Sequence, residues 1–165
     1  MFPSLTLFSD LNWDIVTKEY QTHYADLSFP EYLQQKALDG DCPDYLFELA
    51  FYELALIETK NLANELPLPP GVHLNPTALF LNLEFDVKKM LKEASEGKIN
   101  VHERSHVLCI FRDSHDFIHE LEIKQDELEL LQMLEDGPQR TEAFLDSRLD
   151  PPFKKFISLG LIMSR

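Results

Sequence analysis

The sequence predicts an α+β protein, with an N-terminal helical domain over residues 1–66 and a domain of helices and a small antiparallel sheet over 67–165. Three observations lead there. The first 66 residues hold segments with helix-start signals and apolar residues at helical spacing. PLPPG at Pro67–Gly71 then breaks the last of them, because proline lacks the backbone donor that a helix interior needs. Beyond it the pattern changes to short β-type runs, the clearest of them paired around a polar tetrapeptide.

Each element has its own signal. Ser9 is placed to cap a helix through LNWDIVTKEYQTHYADL, with Leu11, Ile15, Tyr20 and Tyr24 along one stripe. Ser28 precedes FPEYLQQKAL, with Pro30 in the first turn and Glu31 three residues after the serine, the spacing of a capping box. Pro43 opens CPDYLFELAFYELALIETKNLANEL, and Asp44 favours the positive end of its dipole. Leu46, Leu49, Ala50, Tyr52, Leu54 and Ile57 make that helix apolar almost all round, which requires burial against more than one neighbour. Past the prolines, TALFLNLEF reads as a strand and DVKKMLKEASEGK as a short helix closed by Gly97. HVLCIFRDSHDFIHELEI (106–123) is a hairpin turning at Asp113–Asp116. QDELELLQMLEDG is an amphipathic helix with Leu128, Leu131 and Leu134 inward, and Gly137–Pro138 turns into QRTEAFLDSRL. Pro151–Pro152 introduces a last short helix, FKKFISLG.

Charge narrows the function. The chain carries 29 acidic against 15 basic residues, a net charge of −14. Residues 1–66 hold 12 acids and 3 bases, a net of −9, and 67–165 hold 17 and 12, a net of −5. Both halves repel a phosphate backbone, so nucleic acid is not an expected partner. No apolar run approaches the roughly 20 residues that span a bilayer, and MFPSLTLFSD lacks a basic start, so neither a membrane nor a secretory route is expected. Cys42 and Cys109 lie in different elements, as in a reduced, cytoplasmic protein.

One stretch matches a catalytic signature by letter. His102–His106 reads HERSH, the H-E-x-x-H pattern that holds zinc when two histidines share a helix face. Here it leads straight into the strand VLCIF. In extended chain the two histidines stand roughly 13 Å apart, against about 2.1 Å from each ring to a shared zinc. His115 and His119 fail in the same way across a turn. Among other chemistry there is no glycine-rich phosphate loop, no G-x-S-x-G elbow and no C-x-x-C pair. No catalytic residue, no metal ligand and no cofactor is expected in this chain.

A helix, a Gly-Pro turn, a second helix and a two-stranded hairpin are also the parts of a winged-helix domain, with QRTEAFLDSRL in the place of the recognition helix. Arg140 and Arg148 there are balanced by Glu142 and Asp146, whereas a DNA reader brings several unbalanced cations to the groove. FPEYL at 29–33 and PDYLFELAFYELAL at 43–56 resemble the helical segment of HvfC/BufC-type proteins, a family also labelled as DNA-binding-domain proteins. Phe29, Pro30 and Leu33 match the first part of its pattern; Tyr45, Leu46, Leu49, Ala50, Glu53 and Ala55 match the second. VHLNPTALFL, VLCIFRD, DELELLQMLEDG and TEAF resemble its second half, with Arg112, Gly137 and Glu142–Ala143 in place, so the likeness runs from about residue 20 to about residue 161. The chain departs from it at Asn75–Pro76, where similar proteins often have His-Pro.

That resemblance implies a winged-helix-like second domain and a role as a non-catalytic partner subunit. Such proteins accompany TIM-barrel multinuclear non-haem iron oxygenases that modify cysteine in ribosomally made precursor peptides. The iron is expected in the enzyme, and the companion binds the precursor's leader. Two sites follow as expectations. Tyr45, Phe47, Phe51 and Tyr52, spread around the 43–64 helix, form the partner interface. Arg112, Arg140 and Arg148 border a peptide groove where the leader adds as a strand to the 106–123 hairpin. The alternative reading is a winged-helix transcriptional regulator.

Overall fold

A computed structural model describes residues 2–62, 70–135, 139, 144 and 149–164. Helices come first: α1 (Leu5–Phe8), α2 (Trp13–His23), α3 (Phe29–Leu38) and α4 (Tyr45–Asn61). Then follow β1 (Val72–Leu74), β2 (Leu79–Phe85), α5 (Val87–Ser95), β3 (Glu103–Arg112), β4 (Ile118–Ile123), α6 (Gln125–Glu135), α7 (Asp150–Leu159) and β5 (Ile162–Ser164). The order of the three-stranded sheet is β2-β3-β4, and β1 pairs with β5 in a separate two-stranded sheet. The class is therefore mixed helix and small antiparallel sheet, with helices leading.

The chain gathers into two compact units, each drawn from two stretches: Met1–Ala55 with Asn82–His106, and Leu56–Leu81 with Val107–Arg165. The chain passes between the units inside α4, β2 and β3.

In the first unit the helix starts are set locally. Ser28 Oγ accepts the Glu31 N–H while Glu31 returns a carboxylate to the Ser28 N–H at 2.7 Å, so the capping box forms as the spacing predicts. The helix expected from Ser9 begins later: Asn12 caps α2 by accepting the Ile15 N–H, and Ser9 Oγ holds the Leu11 N–H in the preceding turn. Asparagine is as good a cap as serine, because its carbonyl reaches the first free donors of the helix. Leu46, Leu49, Ala50, Tyr52 and Ala55 of α4 are buried, as is Tyr32 of α3, whose ring lies within 6 Å of those of Tyr20, Tyr24 and Phe29.

Glu48 is the unexpected member of this interior. It is 3% exposed, and its two carboxylate oxygens accept the backbone N–H groups of Glu84 and Phe85 at 2.9–3.1 Å. Burial pushes its carboxyl above the ordinary range, and the two backbone donors pull it partly back. The clasp ties α4 to the end of β2.

In the second unit, Cys109, Phe111, Ile123, Leu130, Leu131, Leu134, Phe153, Phe156 and Leu161 share one core. Leu131 and Leu134 are buried as their spacing predicts, Leu130 is fully buried beside them, and Leu128 is half-buried. β3 and β4 pair antiparallel from Val107↔Ile123 to Arg112↔Ile118. β1 and β5 were not anticipated as strands; they pair Val72↔Ser164 to Leu74↔Ile162. Gly160 closes α7 in the left-handed region (φ 77°), where a side chain is strained and where a Cβ would lie 3.4 Å from that of Asp113.

Candidate functional site

The hairpin of the second unit is built around one aspartate. Asp113 Oδ1 accepts the N–H groups of His115 (2.8 Å) and Phe117 (3.0 Å), folding the turn, and Asp116 takes the left-handed conformation that the reversal requires. Asp113 Oδ2 meets the His119 ring at 2.8 Å, and that ring stacks on Phe111 with centroids 5.0 Å apart. The His119 contact, with the two backbone donors, holds the Asp113 carboxyl below its ordinary range. Past this rigid turn, Phe117 and Ile118 stay 68% and 38% exposed, an apolar tip left in water. Among the described residues β4 is an edge strand, the last in the order β2-β3-β4. Its outer backbone groups are the ones a further strand would take.

The arginines expected beside this edge have separate fates. Arg112 turns inward to the end of α4, where its guanidinium donates to the carbonyls of Lys60 (2.8 Å) and Leu62, and its Nε lies 3.6 Å from Asp116. A cation on the last carbonyls of a helix satisfies orphan acceptors and complements the negative end of the dipole. The side chain is 15% exposed, so its donors serve the fold. Arg140 and Arg148, with most of the 139–149 segment, lie outside the described residues.

The four aromatic residues of α4 also divide. Tyr52 is buried. Tyr45 is half-buried: its hydroxyl donates to the Phe8 carbonyl at 3.0 Å and its ring meets Phe8 and Phe85 edge-on. Phe47 and Phe51, one turn apart, stand perpendicular with centroids 6.2 Å apart, and both remain half-exposed. Like Tyr45, they keep open area, and only Tyr52 of the four is buried.

HERSH lies at the end of the connection into β3 and on β3 itself, in extended chain as its sequence context predicts. The His102 ring pairs with Glu93 Oε2 at 2.8 Å, and His106 Nδ1 meets the Arg104 carbonyl at 2.8 Å, so the two imidazoles have separate partners. Among the described residues no three His, Cys, Asp or Glu side chains gather closely enough to hold a metal ion. Cys109 is buried in the core and burial pushes its thiol up to about 12, which removes its nucleophilic form at neutral pH. Among the described residues no helix is long and apolar enough to cross a membrane.

No family model matches the chain, and no curated protein matches it.

Proposed function

We propose that this chain is a non-catalytic partner subunit that binds the leader of a ribosomal precursor peptide and joins an iron-dependent TIM-barrel oxygenase acting on peptide cysteine. In this reading residues 67–165 work as a winged-helix-like peptide-recognition domain of a cytoplasmic complex, and the iron belongs to the enzyme. The observation that carries it is the β4 edge: a short strand that ends the order β2-β3-β4 among the described residues and begins at the exposed Phe117–Ile118 tip. An extended leader added there gains backbone hydrogen bonds along β4, and the apolar tip selects register. The half-exposed Phe47–Phe51 pair on α4 supports a protein partner, and the resemblance to HvfC/BufC-type companions supplies its kind. A net charge of −14 disfavours the transcriptional-regulator alternative.

Co-expression of the tagged chain with an untagged barrel oxygenase of that class tests the proposal. The expected result is a stable heteromer, containing iron, that shifts a fluorescent leader peptide in anisotropy. A chain recovered as a monodisperse monomer beside the enzyme overturns the partner assignment, and a heteromer that ignores the leader overturns peptide capture.

A further inference from the structure

The first unit contains a cleft of about 510 Å³ whose lining comes from α3, α4, the end of β2 and the beginning of β3. That volume lies within the range of sites that bury a ligand or a pair of side chains. Its apolar walls are Phe47 and Phe85 with Ala37 and Leu38. Leu38 is 78% exposed, a large apolar side chain left in water at the lip. Both rings have a further aromatic neighbour outside the lining: Phe51 for Phe47, and Tyr45, at 6.0 Å, for Phe85. The floor is held, because Glu48 uses both oxygens on the backbone N–H groups of Glu84 and Phe85. Walls positioned by such contacts lower the ordering cost that a ligand meets.

Its charge is one-sided. Asp44, Glu84 and Glu103 are exposed carboxylates on the lining, with Glu48 buried beneath them. Arg104 is the one cation of the described lining, and its guanidinium is drawn to Asp86 at 3.3 Å, outside that lining. Phosphates and nucleic acids are repelled by such a rim, whereas a cation near it is attracted and gains further over the faces of Phe47 and Phe85. Apolar walls that also leave an aromatic face open suit a side chain with an alkyl stem and a charged head.

We propose that this cleft docks an extended peptide segment of a partner protein in which a large apolar residue is flanked by lysine or arginine. The apolar side chain enters between Phe47, Phe85 and Leu38, and the cationic heads reach Glu84 and Glu103 on one side and Asp44 on the other. None of the lining lies within 107–123, so this site is independent of strand addition at the hairpin.

The test uses the full chain and three labelled probes: the heptapeptide Gly-Lys-Leu-Phe-Arg-Gly-Gly, the same peptide with glutamate for both cations, and the same peptide with serine for both apolar residues. Anisotropy is expected to show the first binding at least about tenfold tighter than either control, weakening as salt rises. Amide shifts are expected at 84–85 and 103–105. The doubly substituted Glu84→Lys, Glu103→Lys variant changes two exposed side chains and is expected to lose at least about tenfold in affinity, with its melting temperature near that of the parent. A Phe47→Ser variant is expected to weaken binding similarly; should it fail to fold, the charge variant decides. Absence of binding by the first probe, equal binding of the glutamate or serine control, or unchanged affinity in the charge variant overturns the proposal. So does spermidine competing as well as the peptide, which would reduce the cleft to an acidic patch.

Discussion

Asn75 uses both ends of its side-chain amide. Its Nδ2 donates to the carbonyls of Arg112 and Gly160 at 2.8 Å each, and its Oδ1 accepts the Thr77 N–H at 2.9 Å and the Thr77 hydroxyl at 2.7 Å. Thr77 Oγ1 in turn accepts the Arg112 N–H at 2.8 Å. One buried residue thus ties the β1–β2 connection to the end of β3 and to the cap of α7. Replacement by alanine strands several buried groups in an interior where water does not replace the partner. Asn75→Ala is expected to cost roughly 2–3 kcal/mol in urea unfolding, and Asn75→Asp, which keeps the acceptor and loses both donors, a comparable amount. An unchanged urea midpoint in both variants contradicts the lock. These hydrogen bonds explain why asparagine suits the position. Glu48 is the corresponding device of the first unit; its carboxylate was legible in the sequence only as one acid among 29.

At the scale of elements, the β3–β4 hairpin carries its own pH dependence. The Asp113 carboxyl is held low in the folded chain, first by His119 and then by the His115 and Phe117 amides. A carboxyl lowered by folding contributes stability that is fully present above its ordinary value of 3.8 and is lost as pH falls through the lower folded value. Acidification from about pH 5 to about pH 2 is therefore expected to shift the His115 and Phe117 amide signals and to loosen the turn. In Asp113→Asn the amide oxygen still accepts those two N–H groups, but no titration remains at this site, and the signals should hold steady over that range. A turn that loosens identically in both proteins places the acid sensitivity elsewhere. α6 has a different anchor: Glu127, 5% exposed, accepts the Lys124 N–H at 2.9 Å and pairs with Lys155 of α7 at 2.6 Å. Sequence periodicity identifies α6 and the inward Leu131 and Leu134, whereas the burial of Glu127 follows from its tertiary partner on α7.

For the whole molecule, charge is the property with the widest reach. At −14 the chain meets any phosphate backbone against a repulsive field, and the segment expected to occupy a recognition helix carries balanced charge. A specific DNA reader of this size binds its operator at about 10⁻⁸ M or tighter at physiological salt. Selection from a genomic library is expected to enrich no site of that strength. A single enriched operator would replace the partner-subunit reading with the regulator.

Local chemistry settled a good deal from the sequence. The capping box at Ser28–Glu31, the strand under HVLCIF, the turn at Asp113–Asp116 and the glycine that ends α5 each depend on residues within a few positions of one another. The same locality puts HERSH on extended backbone, which separates histidines that a helix would bring together. Tertiary structure alone decided the rest. β1 and β5 are three residues each, and Val72 finds Ser164 across 92 positions, so neither strand has a local reason to exist. Arg112 reads as a free cation until the end of α4 arrives to accept from it. The cleft beneath Leu38 exists because Glu48 holds the Glu84 and Phe85 amides 36 and 37 residues away. Caps, turns and periodicity are short-range forces written into neighbouring letters. Which buried polar group meets which donor is settled by the cost of leaving either unpaired, and that cost is defined only once distant segments share an interior.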